Sequence, residues 1–287
     1  MPNHLSDLLA NKTLLLVGGG KMGMALMQGW LGAGLTPSQI LVQEPAPSEE
    51  LSAAGIGLNP DADTLSAQAP DIMILAVKPQ MIEAVLPPLA EVLPAGSMVL
   101  SLMAGVPVGT MQNLLGDKLA YVRTMPNTPA SIGKGMTGLF AADNVQDAQK
   151  ASAAALLASV GQTVWLDNEA MIDAVTAISG SGPAYVFHLV EALQAGAMGL
   201  GLSEEMSARL AAQTIIGAAA MLEAEDAQAA QLRRNVTSPG GTTEAALDVL
   251  MSEGGLSDLM RRATQAAAQR AQELAQIGSQ EADNKTD

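Results

Sequence analysis

The feature that most constrains this chain is a glycine loop set between a short apolar run and a helical stretch at its very start. The segment Leu15-Leu16-Val17-Gly18-Gly19-Gly20-Lys21-Met22-Gly23 carries G-x-G-x-x-G as Gly18, Gly20 and Gly23. The pattern alone is weak. Here it comes after a strand pattern over Thr13–Val17 and opens a helix pattern over Lys21–Ala33, which is the context a dinucleotide-binding βα unit needs. Gly18 permits the tight turn, Gly20 lets the backbone approach a pyrophosphate, and Gly23 lets helix and strand pack closely. Lys21 and Met22 sit at the helix N-terminus, where unsatisfied N–H groups meet phosphate charge. The alternative is a tight βα turn that holds no ligand.

Beyond the loop the chain repeats the same alternation. Strand patterns occur at Gln39–Gln43, Asp71–Val77, Ser97–Leu102, Leu119–Arg123, Met136–Ala141 and Thr163–Leu166, with helical patterns at Pro79–Leu86 and Val145–Val160. Asp71–Val77 is almost continuously apolar, as expected of a strand buried on both faces. The alternation predicts an α/β fold: an N-terminal Rossmann-type, doubly wound, mostly parallel sheet with helices on both faces. After Asp167 the chain becomes Ala-rich and reads as helices only. One opens at Pro183 and one begins after the N-cap candidate Ser203. A third runs from Thr242 to Gly254-Gly255, and a fourth from Leu256 to Ile277, stopping at Gly278. The expected divisions are 1–167 for the dinucleotide domain, 168–278 for an all-α substrate and dimerisation domain, and 279–287 for a flexible polar tail.

Composition excludes several classes. There is no cysteine, so disulfides, thiol nucleophiles and cysteine metal sites are absent, and only His4 and His188 remain for a histidine site. No metal site is expected. The net charge is -15, with 14 basic against 29 acidic residues, and aromatics are 2%. A polyanion binder needs a basic face and base-stacking rings, so nucleic acid is a poor partner. The greasiest stretch, Ala184–Leu202, is interrupted by His188, Glu191 and Gln194, so no membrane span is expected. With no export signal at the start, the expected place is the cytoplasm. The small residues Ala195, Gly196, Gly199 and Gly217–Ala220 suit close helix approach. Such helices bury little area each, so a homodimer sharing this half is expected.

Glu44 lies where the second strand should meet the adenosine ribose. A carboxylate there accepts from a 2′-OH and repels a 2′-phosphate. No Lys or Arg occurs between Met22 and Val77 to offset that phosphate. This tilts the choice weakly to NADH over NADPH, against the alternatives of a solvated acidic loop or of Pro45 turning Glu44 away. Val77-Lys78-Pro79 ends the third predicted strand, where ligands of doubly wound sheets sit. Asn127, in a Pro-rich loop after a strand, is free to bond a cofactor amide or a neighbouring backbone. Ser238–Thr243 offers two glycines and a helix start at Thr242 or Thr243. That end can take a small carboxylate through N–H donors, without any arginine; the other reading is a plain N-cap. Ser181 is no hydrolase nucleophile, since Ser179 stands where the nucleophile elbow needs glycine.

Four further motifs occur in order: Ala76-Val77-Lys78-Pro79, Arg123-Thr124-Met125-Pro126-Asn127-Thr128-Pro129, Ser179-Gly180-Ser181-Gly182-Pro183-Ala184-Tyr185 and Ser238-Pro239-Gly240-Gly241-Thr242-Thr243. With the glycine loop, they resemble the pyrroline-5-carboxylate reductase family from about Lys12 to Leu274. The resemblance implies reduction of 1-pyrroline-5-carboxylate to L-proline with NAD(P)H, the last step of proline biosynthesis, by dimers that often form rings. It implies that Ala76, Lys78 and Pro79 lie beside the nicotinamide. It also implies that Ser238, Gly240, Gly241 and Thr242 hold substrate, that Thr243 approaches the ring nitrogen as the catalytic residue, and that Ser181 walls the site. Aligning two bound reactants supplies roughly 7–11 kcal/mol, more than the 10²- to 10⁴-fold expected of one acid, so no strong acid is required. A related six-membered imino-acid reductase and a non-catalytic dinucleotide sensor are the competing readings. A β-hydroxyacid dehydrogenase would need a lysine in the helical half, where only Lys285 occurs past Lys150.

Overall fold

The computed structural model describes residues 5–224 and 228–283. Strands β1 (Leu14–Val17), β2 (Ile40–Gln43), β3 (Gly57–Leu58), β4 (Ile72–Leu75), β5 (Met98–Ser101), β6 (Ala120–Met125), β7 (Gly135–Ala141) and β8 (Gly161–Trp165) form one sheet. Its order is β3-β2-β1-β4-β5-β6-β7-β8. Every pairing is parallel except β6 with β7. β1, β4 and β5 are buried along their whole length because helices cover both faces. The period-2 alternation divides β1 between two cores. Leu14 and Leu16 join the cluster of Trp30 and Ile74, while Leu15 and Val17 join that of Met73 and Tyr121. Each such leucine contributes about 1.5–3 kcal/mol. Trp30 is fully buried yet satisfied, its indole N–H donating to the Leu156 carbonyl at 2.9 Å.

The doubly wound fold agrees with the expectation, and so do the seven predicted strands. The two-residue β3 is additional; its exposed Gly57 and partly buried Leu58 are too short to show an alternation. The helix expected over Pro79–Leu86 is instead a 3₁₀ turn (Pro79–Met81) and a short helix (Ile82–Val85), with another at Pro87–Ala90. Pro87 and Pro88 lack N–H groups and break the ladder.

The first compact unit runs to Gly180 and takes in the chain again from Ala267; the second is Ser181–Ala266. The division therefore falls later than residue 167. The segment after β8 stays on the sheet because Arg123 of β6, 4% exposed, pairs with Glu169 at 3.0 Å and Asp173 at 3.9 Å. Glu169 also accepts the Val108 N–H at 2.8 Å. Burial raises the Asp173 carboxyl above its usual value, with Arg123 opposing and Glu169 adding to it. Ile172 and Ala177 are buried in the same segment.

The second unit contains the helices Gly182–Gly199, Glu204–Ala224, Ala229–Asn235 and Thr242–Leu250, and the start of Leu256–Asp283. Ser203 caps its helix as expected, accepting from the Met206 N–H at 3.3 Å. The helix from Thr242 ends at Leu250, and a turn carries the chain to Gly255. The last helix does not stop at Gly278 but continues to Asp283, so the expected flexible tail from 279 is corrected; residues 284–287 lie outside the described residues. One glycine costs a helix only about 1 kcal/mol, and no proline comes after it. Among the described residues no helix is long and apolar enough to cross a membrane.

Candidate active site

The strand order reverses between β1 and β4, and the crevice beyond their carboxyl ends is where doubly wound sheets bind ligands. A cavity of about 710 Å³ opens there, lined by Gly18, Gly20, Glu44, Ala76, Val77 and Lys78 among others. The three motif glycines are glycine for different reasons. Gly18 has φ +104°, and a Cβ on it would sit 2.8 Å from the Ala76 carbonyl carbon. A Cβ on Gly23 would lie 2.1 Å from the Gly18 carbonyl oxygen, so the helix could not pack where it does. Gly20 has φ -68°, open to any residue, and nothing beyond its chain neighbours lies within 4 Å of a Cβ built there. Neither backbone strain nor packing requires glycine at 20. The bare backbone faces the cavity at the N-terminus of the Lys21–Gly32 helix, whose N–H groups suit a pyrophosphate. The residues present therefore fit a dinucleotide.

Glu44 stands at the end of β2, half-buried, and is held in place. Its Oε2 accepts the Gly19 N–H at 2.8 Å and its Oε1 the Ala46 N–H at 3.0 Å. Pro45 therefore does not turn the carboxylate away, since it reaches back to the glycine loop. Asn59, Gln43 and Pro60 also line this end, and none of them is singled out by sequence pattern. The available signal is Asn59-Pro60, a turn pair after an unrecognised strand, with Asn59 at φ +48°. Of the other expected cofactor residues, Lys21 is exposed and Met22 packs partly into the core. Pro79 begins the 3₁₀ turn that Lys78 precedes.

Asn127 takes the neighbouring-backbone role. Its Oδ1 accepts the Met136 N–H at 2.8 Å, and its Nδ2 donates to the Ser179 carbonyl at 3.0 Å. It ties the loop after β6 to β7 and to the π-turn Thr176–Gly180. These two bonds serve the fold, and Asn127 is not among the residues that line the cavity beyond β1 and β4.

In the second unit the Ser238–Thr243 turn begins a nine-residue helix. Gly241 is the N-cap and has no side chain to cap with, so Thr242 and Thr243 are the first two helical residues rather than the cap. Gly240 has φ +70°, and its N–H donates to Glu244 Oε2 at 2.6 Å; the Gly241 N–H donates to the Ser238 carbonyl at 3.0 Å. The expected amide donors at 240 and 241 are thus engaged within the turn. The first-turn N–H groups of Thr242 and Thr243 have no intrahelical acceptor. Glu244 is a further residue of this turn; its signal in the sequence is an acid three residues into a helix, where it reaches back over the N-terminus. Ser181 caps the Gly182–Gly199 helix without a side-chain hydrogen bond. His188 is exposed and pairs with Glu191 at 3.0 Å, a helix-face residue. No group of acidic and histidine residues that could hold a metal occurs among the described residues; His4 and Lys285 lie outside them.

A doubly wound sheet with a bare glycine at its first turn and a pinned carboxylate at its second strand, in a chain that continues into a helical unit, defines a Rossmann-type dinucleotide oxidoreductase. Residues 169–274 match the family model for pyrroline-5-carboxylate reductase dimerisation, and residues 13–105 that for NADP oxidoreductase, coenzyme F420-dependent. A pyrroline-5-carboxylate reductase of Pseudomonas aeruginosa is 40% identical over 270 residues, covering 93% of this chain and 98% of that protein. One from Pisum sativum is 34% identical, covering 91% and 96%. The solved pyrroline-5-carboxylate reductase of Coxiella burnetii superposes with TM-score 0.85 at 38% identity, covering 92% and 98%. That of Plasmodium falciparum, with NADP bound, gives 0.77 at 29%, with the same coverage. The chain belongs to the pyrroline-5-carboxylate reductase family.

Proposed function

We infer that the protein reduces 1-pyrroline-5-carboxylate to L-proline with NAD(P)H. The observation that carries this reading is Gly20, a bare backbone position facing the cavity that the fold itself does not require, in a chain that matches reductases of this name over nearly its whole length. Gly18, Gly20 and the Lys21 helix end cradle the pyrophosphate, with Met22 and Gly23 setting the helix beneath it. Glu44 takes the ribose, and Ala76, Val77, Lys78 and Pro79 border the nicotinamide. When bound, the cofactor supplies the hydride. The chain's own task is to seat the imine: the Thr242 and Thr243 N–H groups receive its carboxylate and the Thr243 hydroxyl orients the ring nitrogen. Ser238, Gly240 and Gly241 shape the turn, and Ser181 forms a wall. Crossing five- and six-membered imines with NADH and NADPH, read at 340 nm, tests this. Turnover of the five-membered imine is expected. No oxidation of either cofactor with either imine would refute the reading.

The homodimer is supported by the match to the dimerisation family model and by how little the second unit buries among the described residues. The Gly182–Gly199 helix has no buried residue, and Glu204–Ala224 buries only Ser207 and Ala211. Phe187, Leu200 and Val249 are 65%, 88% and 71% exposed. Among the described residues, nothing beyond the adjoining helix backbone lies within 4 Å of a Cβ built at Gly196, Gly199 or Gly217, so those small faces are open to another chain. A patch this apolar needs a cover. Light scattering is expected to give a dimer, or a ring of dimers, at micromolar concentration; a monodisperse monomer would overturn this.

A further inference from the structure

Four hydrogen bonds fasten the second strand to the loop after β3. The Asn59 N–H donates to the Val42 carbonyl at 2.7 Å, continuing the ladder of β2 with β3. The Asn59 side chain then clasps both backbone groups of Glu44. Its Oδ1 accepts the Glu44 N–H at 2.8 Å, and its Nδ2 donates to the Glu44 carbonyl at 2.9 Å. Beside it, Gln43 Nε2 donates to the Pro60 carbonyl at 2.7 Å. Asn59 holds φ +48° to do this, a conformation asparagine tolerates better than most residues. The Glu44 backbone is thus fixed by Asn59, and its carboxylate by the Gly19 and Ala46 N–H groups.

A carboxylate has about four lone-pair sites. Two are taken, by the Gly19 and Ala46 N–H groups, and Glu44 and Asn59 both line the cavity. A ribose diol can donate to the remaining sites. A 2′-phosphate cannot donate when ionised, and it brings about two further negative charges. A free glutamate could swing aside from that phosphate, but this one would have to give up its bonds to the glycine loop. Between Met22 and Val77 the chain offers no compensating cation, and Lys21 stands at the helix end that faces the pyrophosphate. The charges near Glu44 in the chain are Glu49, Glu50, Asp61 and Asp63, and among the lining residues the one cation, Lys78, comes after β4 instead of β2.

We propose that Glu44, held by the side-chain clasp of Asn59, makes this enzyme selective for NADH, with Asn59 the positioning residue for that selectivity. The proposal rests on the dinucleotide reading of the cavity but not on the identity of the imine. Its test is the dissociation constant of NADH and of NADPH for the full chain without imine, read from nicotinamide fluorescence. Tryptophan-excited transfer gives a second signal. At least about tenfold tighter binding of NADH is expected, from like-charge repulsion at short range. Glu44→Ser should bring the two constants within about threefold of each other. Asn59→Gly keeps the left-handed backbone available and removes only the clasp. It should lower the NADH-to-NADPH preference by at least about threefold, chiefly by weakening NADH. A loss of fold would weaken both cofactors together, so the ratio isolates positioning. Equal or tighter binding of NADPH by the unaltered protein overturns the proposal. An unchanged ratio in Asn59→Gly overturns the role of the clasp. If both imines fail to turn over while the ratio favours NADH, the reductase reading falls and the cofactor assignment stands.

Discussion

Gly20→Val is expected to weaken NADH binding by about 100-fold while leaving thermal unfolding nearly unchanged, since the branched side chain fills the approach to the phosphate-binding amides. The two effects separate because Gly20 is conformationally ordinary and unpacked: φ is -68° and nothing beyond its chain neighbours lies within 4 Å of the added Cβ. The same change at Gly23 could not be read this way. There a Cβ would meet the Gly18 carbonyl oxygen at 2.1 Å, and any loss of binding would come from a displaced helix. Fluorescence titration beside a melting curve measures both quantities. A wild-type dissociation constant in Gly20→Val would show that the pyrophosphate lies elsewhere.

Thr243→Ala is expected to lower kcat/KM for the imine by ten- to a hundredfold, with cofactor affinity within about twofold of normal. A hydrogen bond to a charged or developing charge is worth about 1.5–3 kcal/mol, which sets that range. The hydroxyl is not a helix cap, because Gly241 occupies that position. Removing it therefore should not cost the helix the roughly 1 kcal/mol of a lost N-cap. Thr243→Ser keeps the hydroxyl and should recover most of the activity. Equal kinetics in Thr243→Ala would remove the residue from the reaction.

The sheet is legible in the sequence because its central strands β1, β4 and β5 are buried on both faces and read as nearly continuous apolar runs between turn residues. The glycine loop is legible because its position relative to the first strand is a local property. Less visible are features that depend on distant partners. Nothing in the sequence indicates that Arg123 reaches Glu169 and Asp173 and thereby holds the segment after β8 to the sheet. Nothing indicates that the Asn127 amide bonds Met136 and Ser179. The brace at Asn59 is hidden because β3 is too short for a pattern. The cap at Gly241 is easily mistaken for Thr242 or Thr243, since a threonine before an apolar helix is the commoner cap and the glycine's extended backbone is not written in the sequence. Glu44 is found by counting from the glycine loop, but the bonds that aim it are three-dimensional.

The coreless second half has a consequence for how the protein is made. The sheet's two hydrophobic clusters lie within residues 5–160 and emerge first, whereas the later helices leave Phe187 and Leu200 65% and 88% exposed among the described residues. Maturation of that half is then a second-order event, whose completion depends on encountering a sister chain. At low expression the unpaired helices would linger as targets for chaperones and proteases. Cellular abundance of the enzyme should therefore rise more steeply than in proportion to the amount translated.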